Sequence, residues 1–206
     1  MFYKKLLNSY RLNPDKEFLK IANVSNVQSY STKKILDDVA IILAGFKKLK
    51  CNGKDLKFII SKSTSYELIT DFIACVLSGA TFIVLTPDQI LDQDFEYLLK
   101  KGFIDIEVAK KLNKEIIHVS FTQIPPFKKE FKLGFFTSGS SGHPKLIFFI
   151  EKDIVRKISV LSKIFSDTPI LSCLPLGHVY GSVFVILYSL YFLRKTYLVN
   201  KNGRIL

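Results

Sequence analysis

The residues best suited to chemistry lie in one string, Phe135-Phe136-Thr137-Ser138-Gly139-Ser140-Ser141-Gly142-His143-Pro144-Lys145. An apolar run leads directly into small and hydroxylated residues, and a lysine opens the next apolar run. Two glycines let a backbone bend and approach a ligand closely, with N–H groups free to face it. Thr137, Ser138, Ser140 and Ser141 add hydroxyl donors, and Lys145 adds a positive charge. Such a set can cradle a phosphate chain, and a flexible Gly/Ser hairpin turn would use the same residue types. The residues alone leave both readings open. A Walker A loop is excluded, because Gly134 and Gly139 have its spacing but Ser140 stands where its lysine belongs. The dinucleotide GxGxxG pattern is absent.

A second candidate follows in Leu174-Pro175-Leu176-Gly177-His178-Val179-Tyr180-Gly181. His178 opens a long apolar stretch. It reads either as a structural histidine beside a buried helix or as an acid–base or positioning group.

These residues need elements to hold them. Ile35, Leu36, Val39, Ile42, Leu43, Phe46 and Leu49 recur at helical spacing and predict an amphipathic helix over 31–50, with Ser31 or Thr32 as its cap. A short strand is expected at 57–60, then a capping box at Thr64-Ser65-Tyr66-Glu67. The helix it starts ends at Gly79, and a strand follows at 81–85. This strand–helix–strand unit predicts parallel pairing. A helix over about 88–101, a strand at 115–119, and a linker-like Pro125-Pro126 segment come next. Strands at 133–137 and 145–150 flank the Gly/Ser string, and a helix over 154–165, a strand at 169–174 and an apolar helix over 179–193 complete the chain. Alternating strands and helices make this an α/β protein with a mainly parallel sheet.

Composition agrees with a core-forming chain. The 206 residues are 48% hydrophobic and 23% charged, too apolar for disorder. Lysine and arginine outnumber aspartate and glutamate by 30 to 18, a net +12. Only Arg11, Arg156, Arg194 and Arg204 are arginines, and the lysines come as scattered pairs of the kind found on solvated helix faces, so nucleic acid is not an expected partner. Cys51, Cys75 and Cys173 are odd in number and far apart, which fits a reducing, cytoplasmic setting rather than a disulfide framework or a CxxC metal site. The N-terminus lacks a signal-peptide apolar stretch. The run from Val179 to Leu193 is shorter than the roughly 20 residues of a membrane span, so none is expected.

The string FFTSGSSGHPK resembles the phosphate-loop signature of the adenylate-forming superfamily, the acyl-CoA and aryl-CoA synthetases, peptide-synthetase adenylation domains and luciferases, whose form is roughly [YF]TSG[ST]TGxPKG. Phe136, Thr137, Ser138, Gly139, Ser140, Gly142, Pro144 and Lys145 match it, Ser141 replaces a threonine and Leu146 the final glycine. Pro175, His178 and Gly181 are similar to the superfamily's P-x-x-H-x-x-G segment, and Ser78-Gly79-Ala80 leading into the Thr81–Pro87 run is similar to its N-terminal opening.

The resemblance implies an ATP-dependent ligase that activates a carboxylic acid as an acyl-adenylate and passes the acyl group to a thiol of CoA or a carrier-protein pantetheine. It implies that Thr137, Ser138, Gly139, Ser140, Ser141, Gly142 and Lys145 hold ATP phosphates and that His178 lines the carboxylate side. Mg²⁺ is implied as well, with no ligand for it in this chain. Residues 1–206 then correspond to one partial N-terminal AMP-binding domain with its phosphate loop at 137–145 and no C-terminal domain. The YGxTE and TGD segments that relatives use for adenine, Mg²⁺ and ribose are not found. The expectation is therefore a poorly active or inactive isolated chain. The alternative is a non-catalytic nucleotide-binding remnant, or a subunit needing a complementing C-terminal chain.

Overall fold

A computed structural model describes residues 2–22, 26–50, 55–85, 92–111, 119–127, 129–137, 145–165 and 167–199. All but the last residue of the strand expected at 115–119, and the first residues of the helix expected at 88–101, lie outside them.

The 57–85 unit forms as its pattern predicts. β3 (Lys57–Ser61) pairs in parallel with β4 (Thr81–Leu85), Ile59 facing Ile83 across the ladder. α3 (Tyr66–Ser78) joins them. Its cap is Ser65, whose hydroxyl accepts from the Leu68 N–H at 3.2 Å, so the start lies one residue later than the expected box from Thr64. Gly79 ends the helix at φ 69°, and a Cβ there would stand 2.2 Å from the Lys129 carbonyl oxygen, so only glycine fits both the turn and the contact.

Two sheets form in place of one. The larger has the order β5-β3-β4-β6-β7, with β5 (Ile104–Asp105) and β6 (Lys132–Thr137) parallel to their neighbours and β7 (Lys145–Ile150) antiparallel to β6. Alternate residues of β3 and β4 serve opposite faces. Phe58, Ile60, Phe82 and Val84 belong to the main core with α2 (Thr32–Lys50) and α3. Ile59, Ile83 and Leu85 pack with Leu98 of α4 (Asp92–Lys100) and with Phe103. Burial on both faces explains why these strands read as unbroken apolar runs. Phe46 stacks on Phe58 at 4.3 Å between ring centroids, and Phe72 meets Phe82 edge-on at 5.1 Å.

The second sheet has the order β2-β1-β9-β8. It brings β1 (Glu17–Ala22) and β2 (Val27–Ser31), an antiparallel pair from a region without a clear sequence signal, against β9 (Thr196–Val199) and β8 (Ile170–Ser172) near the other end of the chain. α1 (Phe2–Leu12) precedes it, α5 (Ile106–Lys111) follows β5, and α6 (Glu151–Leu161) follows β7. The apolar run after His178 is a π-helix, Tyr180–Leu187, continued by the short α7 (Tyr188–Phe192), and no described helix is long and apolar enough to cross a membrane.

Two ionic arrangements tie elements together. Asp71 of α3 is fully buried, with Lys62 at 2.6 Å and Lys110 of α5 at 3.1 Å, and both lysines also meet Glu107. Burial pushes the Asp71 carboxyl above its ordinary value, opposed by the two ammonium groups. Asp71→Ala leaves Lys62 and Lys110 to share Glu107 alone at the junction of β3, α3 and α5, and should cost about 3 kcal/mol by denaturant unfolding.

Glu17 at the start of β1 bonds Lys195 just before β9, with Lys20 at 3.2 Å, and these contacts hold its carboxyl down at about 2. A depressed carboxylate stabilises the fold above its unfolded value and loses that contribution as pH falls toward the folded one. Between about pH 4.5 and 2 the melting temperature should therefore fall more steeply for the native chain than for Glu17→Gln.

Candidate functional site

Strand register brings the two ends of the Gly/Ser string together. In the β6–β7 ladder Thr137 pairs directly with Lys145, and the Thr137 hydroxyl donates to the Lys145 carbonyl at 3.2 Å. Residues opposite one another across an antiparallel pair share a face. A hydroxyl and an ammonium therefore emerge side by side at the strand ends, with Lys145 exposed and Thr137 partly so. Ser138, Gly139, Ser140, Ser141 and Gly142 lie outside the described residues.

Packing behind the pair sets its position. β6 is held in parallel by β4 through Leu133 facing Phe82, and Leu133 and Phe135 are buried. A Cβ on Gly134 would come within 2.7 Å of the Phe148 ring and 2.8 Å of Ile83, so the bare backbone lets Phe148 of β7 lie against the sheet. Gly134 thus has a packing role that its Walker-like spacing does not suggest.

His178 is carried by the other sheet, in the turn between β8 and the π-helix, and it is exposed. Its backbone is held at both ends. The His178 N–H donates to the Pro175 carbonyl at 3.2 Å, and the His178 carbonyl accepts from Ser182 N–H at 3.0 Å. The buried Ser182 hydroxyl donates to the Leu176 carbonyl. Gly181 explains the spacing of the motif: a Cβ there would stand 2.3 Å from the Pro175 carbonyl oxygen. The π-helix backbone thereby lies directly on the turn that presents the histidine.

Ser182 and Tyr188 were not legible as site residues. Ser182 hides among apolar neighbours as an ordinary small residue. Tyr188, just past the π-helix, has a buried hydroxyl with no hydrogen-bond partner among the described residues. An unmet buried hydroxyl costs about 1–3 kcal/mol, which a polar atom of a bound group would relieve. π-Helical turns concentrate where such side chains serve function.

Beside this turn lies apolar surface open to solvent. Leu171 of β8 is 73% exposed and Ile164 72%, with Phe165, Leu174 and Tyr180 also exposed. They sit on the free edge of the second sheet, after α6 and at the start of the π-helix. Among the described residues no cluster of three His, Cys, Asp or Glu side chains is placed to hold a metal ion.

This architecture is shared with solved adenylate-forming structures. Fatty acid AMP ligase from Legionella pneumophila aligns with TM-score 0.72 and 17% identity, over 97% of this chain and 39% of its own. The o-succinylbenzoate coenzyme A synthetase of Bacillus subtilis, in complex with ATP and magnesium ion, gives TM-score 0.70 and 14% identity over 98% and 58%. McyG A-PCP, complexed with phenylalanyl-adenylate, gives 0.68 and 20% over 97% and 36%. No family's sequence pattern matches the chain, and no curated protein does. The α/β reading and the resemblance are borne out in the fold, and the chain spans between 36% and 58% of the length of these structures.

Gly181→Ala tests the turn. The added methyl must displace Pro175 or the π-helix, an overpacking that should cost about 1–3 kcal/mol by urea unfolding. It should also shift the His178 imidazole resonances, whereas Gly102→Ala, where a Cβ meets nothing within 4 Å, should leave them in place.

Proposed function

We propose that this chain is the phosphate-cradling part of an ATP-dependent acid ligase, acting in the cytoplasm on a carboxylic acid. The observation that carries the reading is the Thr137–Lys145 register pair at the mouth of a T-S-G-S-S-G-H-P-K string. The register sets a hydroxyl and a cation at the two ends of the string, which suits a phosphate-binding role, and the fold resembles that of solved adenylate-forming enzymes. Free Cys75 and Cys173 fit the cytoplasmic setting.

In the proposed reaction a carboxylate oxygen bonds to the α-phosphorus of ATP as the bond to the bridging oxygen breaks. Acyl-adenylate forms and pyrophosphate leaves. Thr137, Ser138, Gly139, Ser140, Ser141, Gly142 and Lys145 hold the β- and γ-phosphates, where negative charge grows during that step. Mg²⁺, if bound with the nucleotide, would neutralise part of the same charge. His178, presented by its braced turn, lines the carboxylate side and the approach of the thiol. The sulfur of CoA or of a carrier pantetheine then bonds to the acyl carbon, AMP leaves with its bonding electron pair, and the thiol proton is released.

A second reading is a subunit that needs a complementing chain, or a nucleotide-binding remnant. The exposed apolar edge around Leu171 favours the complementing form. A downstream reading frame without YGxTE and TGD segments would count against it.

ATP should raise the melting temperature of the chain, and Lys145→Ala should weaken nucleotide binding about tenfold through loss of a charge-assisted contact. Unchanged ATP protection in Lys145→Ala and in Gly142→Val would overturn the loop assignment. Acid-dependent ATP–pyrophosphate exchange by the isolated chain should be absent, and robust exchange would show that no complementing chain is needed.

A further inference from the structure

A groove of about 900 Å³ runs between α1 and the segment leading to Pro125-Pro126. Its walls are chiefly apolar: Tyr3 and Leu7 on the helix face Ile124, Pro125, Pro126 and Phe127. The two prolines have no N–H to donate and their rings are conformationally restricted, so this wall is preformed and costs little to order. The walls are joined rather than merely adjacent. The Tyr3 hydroxyl donates to the Ile124 carbonyl, and the Tyr3 and Phe121 rings are 5.2 Å apart.

The charge in this groove is one-sided. Lys4 and Lys5 line it, α1 contains no aspartate or glutamate, and neither does the segment from Val119 to Phe127. Lys5 lies over the Tyr191 ring at 3.9 Å and, like Lys4, forms no ion pair among the described residues. Its partial burial against that ring pushes its pKa down without an acid to restore it. The neutral polar groups nearby are engaged with one another: Gln123 accepts from the Ser120 N–H at 3.0 Å, and the Thr122 hydroxyl is 3.0 Å from that of Ser120. Lys4 is exposed, and Lys5 has the Tyr191 and Phe192 rings beside its ammonium, so among the described residues no carboxylate competes with a ligand for either.

We propose that this groove binds an anionic amphiphile, a long-chain carboxylate whose apolar chain lies along Leu7, Ile124 and the prolines and whose head group meets Lys4 and Lys5. Apolar burial supplies affinity, and the unbalanced cations select the sign of the head group. The groove uses none of the residues assigned to nucleotide, so its failure and that of the proposed function are separable.

The test titrates the full chain with monomeric dodecanoate below its micellar concentration, by calorimetry and by hydrogen exchange. Saturable binding is expected, with protection at residues 2–12 and 121–127. The double variant Lys4→Gln, Lys5→Gln should bind about tenfold more weakly, as should dodecyltrimethylammonium with the native chain. Lys145→Ala should bind dodecanoate as the native chain does. Equal binding of the cationic and anionic probes, or protection confined to 160–174, would overturn the proposal. Preference for an acidic amphipathic peptide over dodecanoate would overturn it in favour of a polypeptide partner.

Discussion

The geometry of this protein depends on the register of one strand. β6 is locked in parallel to the buried β4 on one side and antiparallel to β7 on the other. The β4 contact sets β6 by burying Leu133 beside Phe82, and Gly134 leaves room for Phe148 against the same sheet. Because side chains alternate with period two, a slip of one residue would turn Thr137 and Lys145 to the opposite face and uncover Leu133 and Phe135. The hydrophobic interior thus places the polar pair: slipping the pair would cost the burial of two large side chains.

The histidine motif follows the same logic with different means. Its turn is not held by a ladder but by close backbone contact, made possible by Gly181 and braced by the Ser182 hydroxyl. The π-helix that follows buries nearly all its side chains, so its register is set from within while its first residue, Tyr180, faces outward. The two site elements sit on different sheets. The main core, which receives Phe135 from one and Leu176 and Val183 from the other, is the physical link between them.

The distribution of charge is equally informative. A net +12 could be read as an invitation to a polyanion. The i,i+4 pairs Lys33–Asp37 and Lys34–Asp38 and the ring of Lys62, Lys110, Asp71 and Glu107 match lysines to acids one for one, so the excess of twelve is carried by cations elsewhere on the chain. Lys4 and Lys5 belong to that excess, and what sets them apart is their place beside the apolar groove of α1.

Much of the fold was legible because its signals are local. Apolar periodicity marked α2 and α3, Gly79 marked a helix end, and two buried faces produced the uninterrupted apolar runs of β3 and β4. The Gly/Ser string and the P-x-x-H-x-x-G segment were legible as residue types at fixed spacing. The sequence alone determined which residues could bend, donate or carry charge. It could not determine that β1 pairs with β9, more than 170 residues away in the chain, because such pairing is chosen by competition among all possible strand partners rather than by neighbouring residues. For the same reason only the tertiary structure decided that Asp71 is buried between lysines from two other segments, that Gly181 meets the Pro175 carbonyl, and that Thr137 and Lys145 stand opposite each other.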